Sequence, residues 1–147
     1  MKKIIAIAIL AANIGAAQAF EVTAQETHYA KSGVNTLGVV ASQKFAGYGA
    51  QISAERDVSG KANFNRFAAL GTYDLAQVGN FTVTGKAGVA RVVAQNVTGN
   101  AIVLGLGTQL PLSKNLSATA DYSYQRGADS IRRLDGNAYS VGLKYAF

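Results

Sequence analysis

A hydroxyl nucleophile needs a histidine within hydrogen-bond reach and an acid to orient that histidine. The chain has one histidine, His28, with Glu26 and Ser32 near it in sequence. Their spacing matches no recognisable catalytic triad, and His28 reads as a surface or interfacial residue. A lone histidine cannot build a His-rich metal centre, and with no cysteine present there is no thiolate ligand or thiolate nucleophile. The phosphate-cradling pattern G-x-x-x-x-G-K-[ST] is absent, and Gly105-Leu106-Gly107 falls inside an alternating segment instead of opening a helix. No catalytic, cofactor-binding or metal-ligating residue is therefore expected, and no cofactor.

A different set carries more chemistry: Glu21, Lys44, Glu55, Arg66, Asp74, Lys86, Asp121 and Lys144. Four acids and four bases brought to one water-poor interior would have to pair, because an isolated charge there is very costly. Whether they share an interior depends on the elements that hold them.

Those elements are written in period two, the mark of a strand with two unlike faces. In "NLSATADYSYQ" Leu116, Ala118, Ala120, Tyr122 and Tyr124 alternate with Ser117, Thr119, Asp121, Ser123 and Gln125. The same pattern runs through "FTVTGKAGV", "AIVLGLGTQL", "RFAALGTYDL" and "YGAQISAE", and ends in "SVGLKYAF". It is weaker in "FEVTAQETHY" and "TLGVVASQKF", where Glu26 and Val40 interrupt it. Eight segments result. Short links are expected around 45–47, 76–80 and 112–115, the last beside Pro111, and longer polar links around 30–35, 57–63, 94–100 and 126–137. Such a sheet runs up and down, and all eight charged residues fall on its polar face. Aromatic residues gather near segment ends (Tyr48, Phe67, Tyr73, Phe81, Tyr122, Tyr124, Tyr139, Tyr145, Phe147). The polar face is rich in Gly, Ala, Ser and Thr, which suits a narrow lumen with lipid outside it.

The first nineteen residues read differently. Lys2 and Lys3 precede a short apolar run, and Ala17-Gln18-Ala19 is a small-x-small cleavage pattern. Residues 1–19 are expected to be a signal peptide and 20–147 a single barrel domain. The apolar run is too short for a helix that spans a bilayer, which needs about 20 residues. Loss of Lys2 and Lys3 would lower the formal charge from +6 to +4. For an exported, mildly basic chain, lipid phosphate is a better partner than nucleic acid.

The final stretch carries a resemblance. Ser140, Gly142, Leu143, Tyr145 and the terminal Phe147 resemble the C-terminal insertion signal of bacterial outer-membrane β-barrels. The whole of 20–147 is similar in pattern to the small eight-stranded barrels of the OmpA, OmpX and opacity-like type. The resemblance implies an all-β, eight-stranded, antiparallel, up-and-down transmembrane barrel in the outer membrane of a Gram-negative bacterium, inserted by the barrel-assembly machinery. It implies a structural or surface-interaction role, with the longer links facing outward and no enzymatic activity. A narrow solute pore is the alternative, and a soluble periplasmic barrel binding a lipophilic ligand a further one. The link-rich end is basic, and Arg56, Lys61, Arg126, Arg132 and Arg133 form a candidate rim for lipopolysaccharide phosphates. The surface partner is not specified by the residues.

Overall fold

The computed structural model describes residues 20–94, 97–127 and 135–147. The expected signal segment lies outside them. Eight strands follow in order: β1 Phe20–Tyr29, β2 Val34–Phe45, β3 Tyr48–Asp57, β4 Asn65–Val78, β5 Phe81–Val93, β6 Thr98–Pro111, β7 Leu116–Gly127 and β8 Gly136–Ala146. Each pairs antiparallel with the next, and β8 pairs with β1 to close a barrel. Closure leaves no strand edge with unpaired backbone groups, which is what a β-structure in an apolar medium requires.

The register sets the shape. Following paired residues once around the sheet leads from Phe20 through Gln43, Ala50, Gly71, Ala87, Leu104 and Tyr124 to Asn137. The Asn137 carbonyl then accepts from the Ala30 N–H at 3.0 Å. The circuit returns ten residues above its start, at residue 30 instead of 20. Eight strands with that offset tilt by about 40° from the barrel axis, given the usual strand rise and spacing. This lies within the range of about 35–45° for transmembrane barrels.

The links are shorter than the residue pattern suggested. The turns at 46–47 and 79–80 are tight, because β4 continues to Val78 and pairs there with Phe81. A bulge between Asp74 and Ala76 makes Leu75 the extra residue and lets β4 run on past the expected turn. At the other end, β2 already starts at Val34 and β6 at Thr98, leaving links of 30–33 and 94–97. Only 58–64 and 128–135 are long. The contrast in link length is thus confined to the connections after β3 and β7.

The faces are inverted relative to a water-soluble protein. Outward-facing Tyr73, Leu104 and Val141 are 61 %, 56 % and 62 % exposed, whereas inward-facing Glu55 and Arg66 are 5 % and 6 % exposed. Val40 does not break the alternation: it points inward and is buried, with Val39 on the outer face. Glu26 is outward-facing and exposed. The lumen is not polar throughout, as the sequence pattern suggested. At the link-rich end Tyr29, Val34, Phe64, Val92 and Ala138 form a buried apolar cluster, with Phe64 folded in from the 58–64 link. Ala68, Ala90 and Val103 make a second apolar patch, flanked by Leu70.

Candidate functional site: the lumen and the outer rim

All eight charged residues singled out from the sequence point inward, and they meet as four ion pairs. Lys44 Nζ lies 3.3 Å from Asp74, Arg66 Nη1 3.2 Å from Glu55, Lys86 Nζ 2.7 Å from Asp121, and Lys144 Nζ 3.0 Å from Glu21. Two of these pairs reach across an intervening strand: Lys44 on β2 to Asp74 on β4, and Lys86 on β5 to Asp121 on β7. The tight inward curvature of an eight-stranded barrel brings side chains two strands apart within reach of each other over the strand between them.

Glu55 is the most enclosed of the acids. Its Oε1 accepts from Arg66 Nη1 at 3.2 Å and Gln25 Nε2 at 3.1 Å. Its Oε2 accepts from the Tyr29 hydroxyl at 2.7 Å and Thr36 Oγ1 at 3.1 Å. Arg66 in turn donates Nε to Gln125 Oε1 at 2.8 Å. The pair is therefore embedded in neutral hydrogen-bonding groups, the condition under which a buried ion pair is tolerable. Sequence reasoning missed Tyr29, Gln25, Thr36 and Gln125. The parity of β1 held the signal, since Glu21, Gln25 and Tyr29 alternate on one face.

Other lumen acids are similarly supported. Thr84 Oγ1 donates to Asp74 at 2.9 Å, and Ser42 Oγ to Glu21 at 3.3 Å. Lys144 also donates to Gln109 Oε1 at 3.0 Å. Among the described residues the lumen holds two cavities of about 40 Å³ each. Both touch Gln25, Gln51, Lys86 and Asp121, so these four side chains stand between them. Each cavity has room for a few waters, far less than a continuous path needs.

On β8, Ser140 is inward and bonds Thr27 Oγ1 at 2.8 Å, while Leu143 and Tyr145 face outward. Gly142 sits where β8 approaches β1: a Cβ there would lie 2.6 Å from the Ala24 carbonyl oxygen. Phe147 donates its N–H to the Phe20 carbonyl at 2.9 Å, and its ring lies 6.0 Å from Phe20 and 5.0 Å from Tyr145. Four of the five residues thus lie on the strand that closes the barrel, and Phe147 follows directly after it.

At the rim, Arg56 and Arg126 face outward and are exposed. Lys61 is also exposed, but its Nζ donates to the Gly33 carbonyl at 3.0 Å and ties the 58–64 link to the first turn. Arg132 and Arg133 lie outside the described residues. Arg66, basic and close to the same end in sequence, belongs to the lumen instead. His28 faces outward with Nδ1 2.6 Å from Asn35 Oδ1. The Ser32 hydroxyl is buried without a hydrogen-bond partner among the described residues, so His28 and Ser32 form no relay.

Inside-out burial, a paired polar lumen and closure at ten residues of offset define the small eight-stranded outer-membrane β-barrel fold. Solved structures share it. The N-terminal β-barrel domain of Pseudomonas aeruginosa OprF is similar with a TM-score of 0.71 at 15% identity, over 88% of this chain and 97% of that one. The Yersinia pestis outer membrane protein Ail in a phospholipid bilayer nanodisc is similar with a TM-score of 0.60 at 13% identity, over 88% and 99%. A de novo designed transmembrane β-barrel is similar with a TM-score of 0.67 at 14% identity, over 88% and 95%. No protein-family model matches the chain, and no curated protein sequence matches it either. At these identities the likeness is one of fold. That a designed barrel shares it shows how little the fold alone says about a biological role.

Proposed function

We propose that the protein is a closed, non-catalytic barrel of the bacterial outer membrane with a structural or surface-interaction role. The observation that carries this reading is the pairing of all eight lumen charges around cavities of about 40 Å³ each. Solute passage would require breaking ion pairs in a low-dielectric interior, and the apolar cluster around Phe64 closes the link-rich end above them. The exposed apolar belt supports a lipid surrounding and weighs against a water-soluble barrel holding a lipophilic ligand, whose apolar face would be turned inward. The isolation of His28 from Ser32 supports the absence of hydrolytic chemistry.

Two measurements test this. Fractionation of expressing cells should recover the chain in the outer membrane, folded and with heat-dependent gel mobility. In planar bilayers the purified barrel should give no stable single-channel steps. Stable conductance would promote the narrow-pore alternative, and recovery in the soluble periplasm would overturn the membrane reading.

A further inference from the structure

The register relates the outward basic residues to one another by a single repeated step. His28 lies opposite Asn35; two residues further along β2, Leu37 lies opposite Arg56. Arg56 lies opposite Asn65; two residues along β4, Phe67 lies opposite Arg91. Arg91 lies opposite Asn100; two residues along β6, Ile102 lies opposite Arg126. In a sheet tilted by about 40°, crossing two strands raises the path by about as much as two residues along the descending strand lower it. His28, Arg56, Arg91 and Arg126 therefore stand at one level around the barrel. Each of the first three faces an asparagine, with an apolar residue just below that asparagine.

This level is the upper edge of the apolar band. On β5 the outward residues run from Phe81 to Arg91, a height of roughly 25 Å for tilted strands, matching the band of a transmembrane barrel. Among the described residues, the opposite end offers Lys114 as its one cation outside the lumen. The basic groups are thus set at one membrane interface, where guanidinium meets phosphate most favourably.

The sector from β5 to β7 is the most complete. Arg91, Asn100 and Arg126 are all exposed, and among the described residues neither arginine forms an ion pair. Two adjoining grooves meet at Val89 and Asn100, one bordered by Arg91 and Phe67, the other by Arg126, Leu104 and Tyr124. The nearby acid is Asp135, whose carboxylate accepts from the Gly127 N–H at 2.5 Å. On the β1 side the level is less basic, because exposed Glu26 lies just below His28. The backbones of Arg91 and Arg126 are about 12 Å apart, one strand lying between them. That width suits a headgroup carrying more than one phosphate, and Asn100 between them offers the donor and acceptor that a sugar hydroxyl needs.

Building on the membrane reading above, we propose that Arg91, Asn100 and Arg126 form a binding site for a phosphorylated glycolipid of the outer leaflet, lipopolysaccharide. The guanidiniums hold its phosphates, and its acyl chains lie in the grooves over Val89, Ile102 and Leu104. Of the rim expected from the sequence the site keeps Arg126 and adds Arg91 and Asn100, whereas Lys61 is engaged by the Gly33 carbonyl.

The test uses the full barrel folded in nanodiscs of phosphatidylcholine, titrated with diphosphorylated lipid A, with its dephosphorylated form, and with phosphatidylglycerol. Wild type should bind diphosphorylated lipid A most tightly. Replacement of both charges in Arg91→Ser/Arg126→Ser should weaken that binding by about tenfold or more, and removal of the phosphates should do the same. Arg56→Ser should stay within about twofold of wild type. Equal binding by the double variant, by dephosphorylated lipid A or by phosphatidylglycerol would each overturn the assignment. Heat-dependent gel mobility of every variant verifies folding. Failure of wild type to enter a bilayer at all would count against the membrane reading itself, so the two outcomes are distinguishable.

Discussion

Lys86 and Asp121 meet at 2.7 Å across β6, directly over Gly107. A Cβ at Gly107 would fall on Asp121 Oδ1 and within 2.8 Å of Lys86 Cε. The ion pair thus depends on a missing side chain on the strand between its partners. Gly107→Ala should push the two apart and destabilise the barrel by about 1–3 kcal/mol, as overpacking does. Gly71→Ala is the matched control, because its Cβ would face outward with nothing nearer than 3.8 Å. Urea titrations of folding into lipid vesicles read both. Equal stability of the two variants would show that the pair is not confined as described.

The second prediction concerns Glu55 and Arg66, which are directly opposite on β3 and β4 and almost wholly enclosed. Removing one partner strands the other charge away from water. Glu55→Ala or Arg66→Ala alone should cost about 3–5 kcal/mol. Replacing both with apolar residues of similar volume, as in Glu55→Leu/Arg66→Met, should cost clearly less than the worse single variant. A double variant as unstable as the two singles combined would mean that Gln25, Tyr29, Thr36 and Gln125 need the charges themselves, not merely filled volume.

These pairs also mark how far the residues alone could be read. A period of two assigns every charge to a face, and in a barrel the face is the lumen, so Glu21 through Lys144 were legible as one interior set. Which acid meets which base was not. Lys44 finds Asp74 and Lys86 finds Asp121 across an intervening strand, and that choice depends on the ten-residue offset, which no local pattern encodes. The apolar cluster was also hidden, because Phe64 lies in a link and carries no strand periodicity. The level shared by His28, Arg56, Arg91 and Arg126 becomes visible only once each residue has its partner. Link lengths failed for a simpler reason: Asn35, Thr98 and Asn100 look like turn residues, yet they are strand ends at an interface.

A third prediction follows from Asp57, which lies beyond Arg56 and so above the apolar band. Burial would raise its pKa. The Ser59 hydroxyl at 2.6 Å and the N–H groups of Ala62, Asn63 and Ser59 at 2.8, 2.7 and 2.8 Å outweigh that and hold it at about 2. The folded pKa is depressed, so the stabilisation is fully present above the ordinary carboxylate range and is lost as pH falls through about 2. The Ala62 and Asn63 amide resonances should therefore titrate near that value, and Asp57→Asn should abolish the titration. A midpoint near the ordinary aspartate value, about 4, would mean that the link is not held by this carboxylate.

The last prediction separates two roles for Phe147. Its contacts in the folded barrel are modest: one backbone hydrogen bond to Phe20 and two ring contacts, at a chain end that is 74 % exposed. By those contacts alone, deleting it should cost about 1–2 kcal/mol when the purified chain folds into lipid vesicles. If the residue also marks the closing strand for the assembly machinery, the loss in cells should be far larger than that small cost explains. Deletion and Phe147→Ser should then cut the amount reaching the outer membrane by about tenfold, whereas Phe147→Tyr, which keeps an aromatic ring at the position, should assemble nearly as well as wild type. Parallel measurements in vesicles and in cells give the answer. Matching, small losses in both settings would leave Phe147 as an ordinary strand end and remove the insertion role.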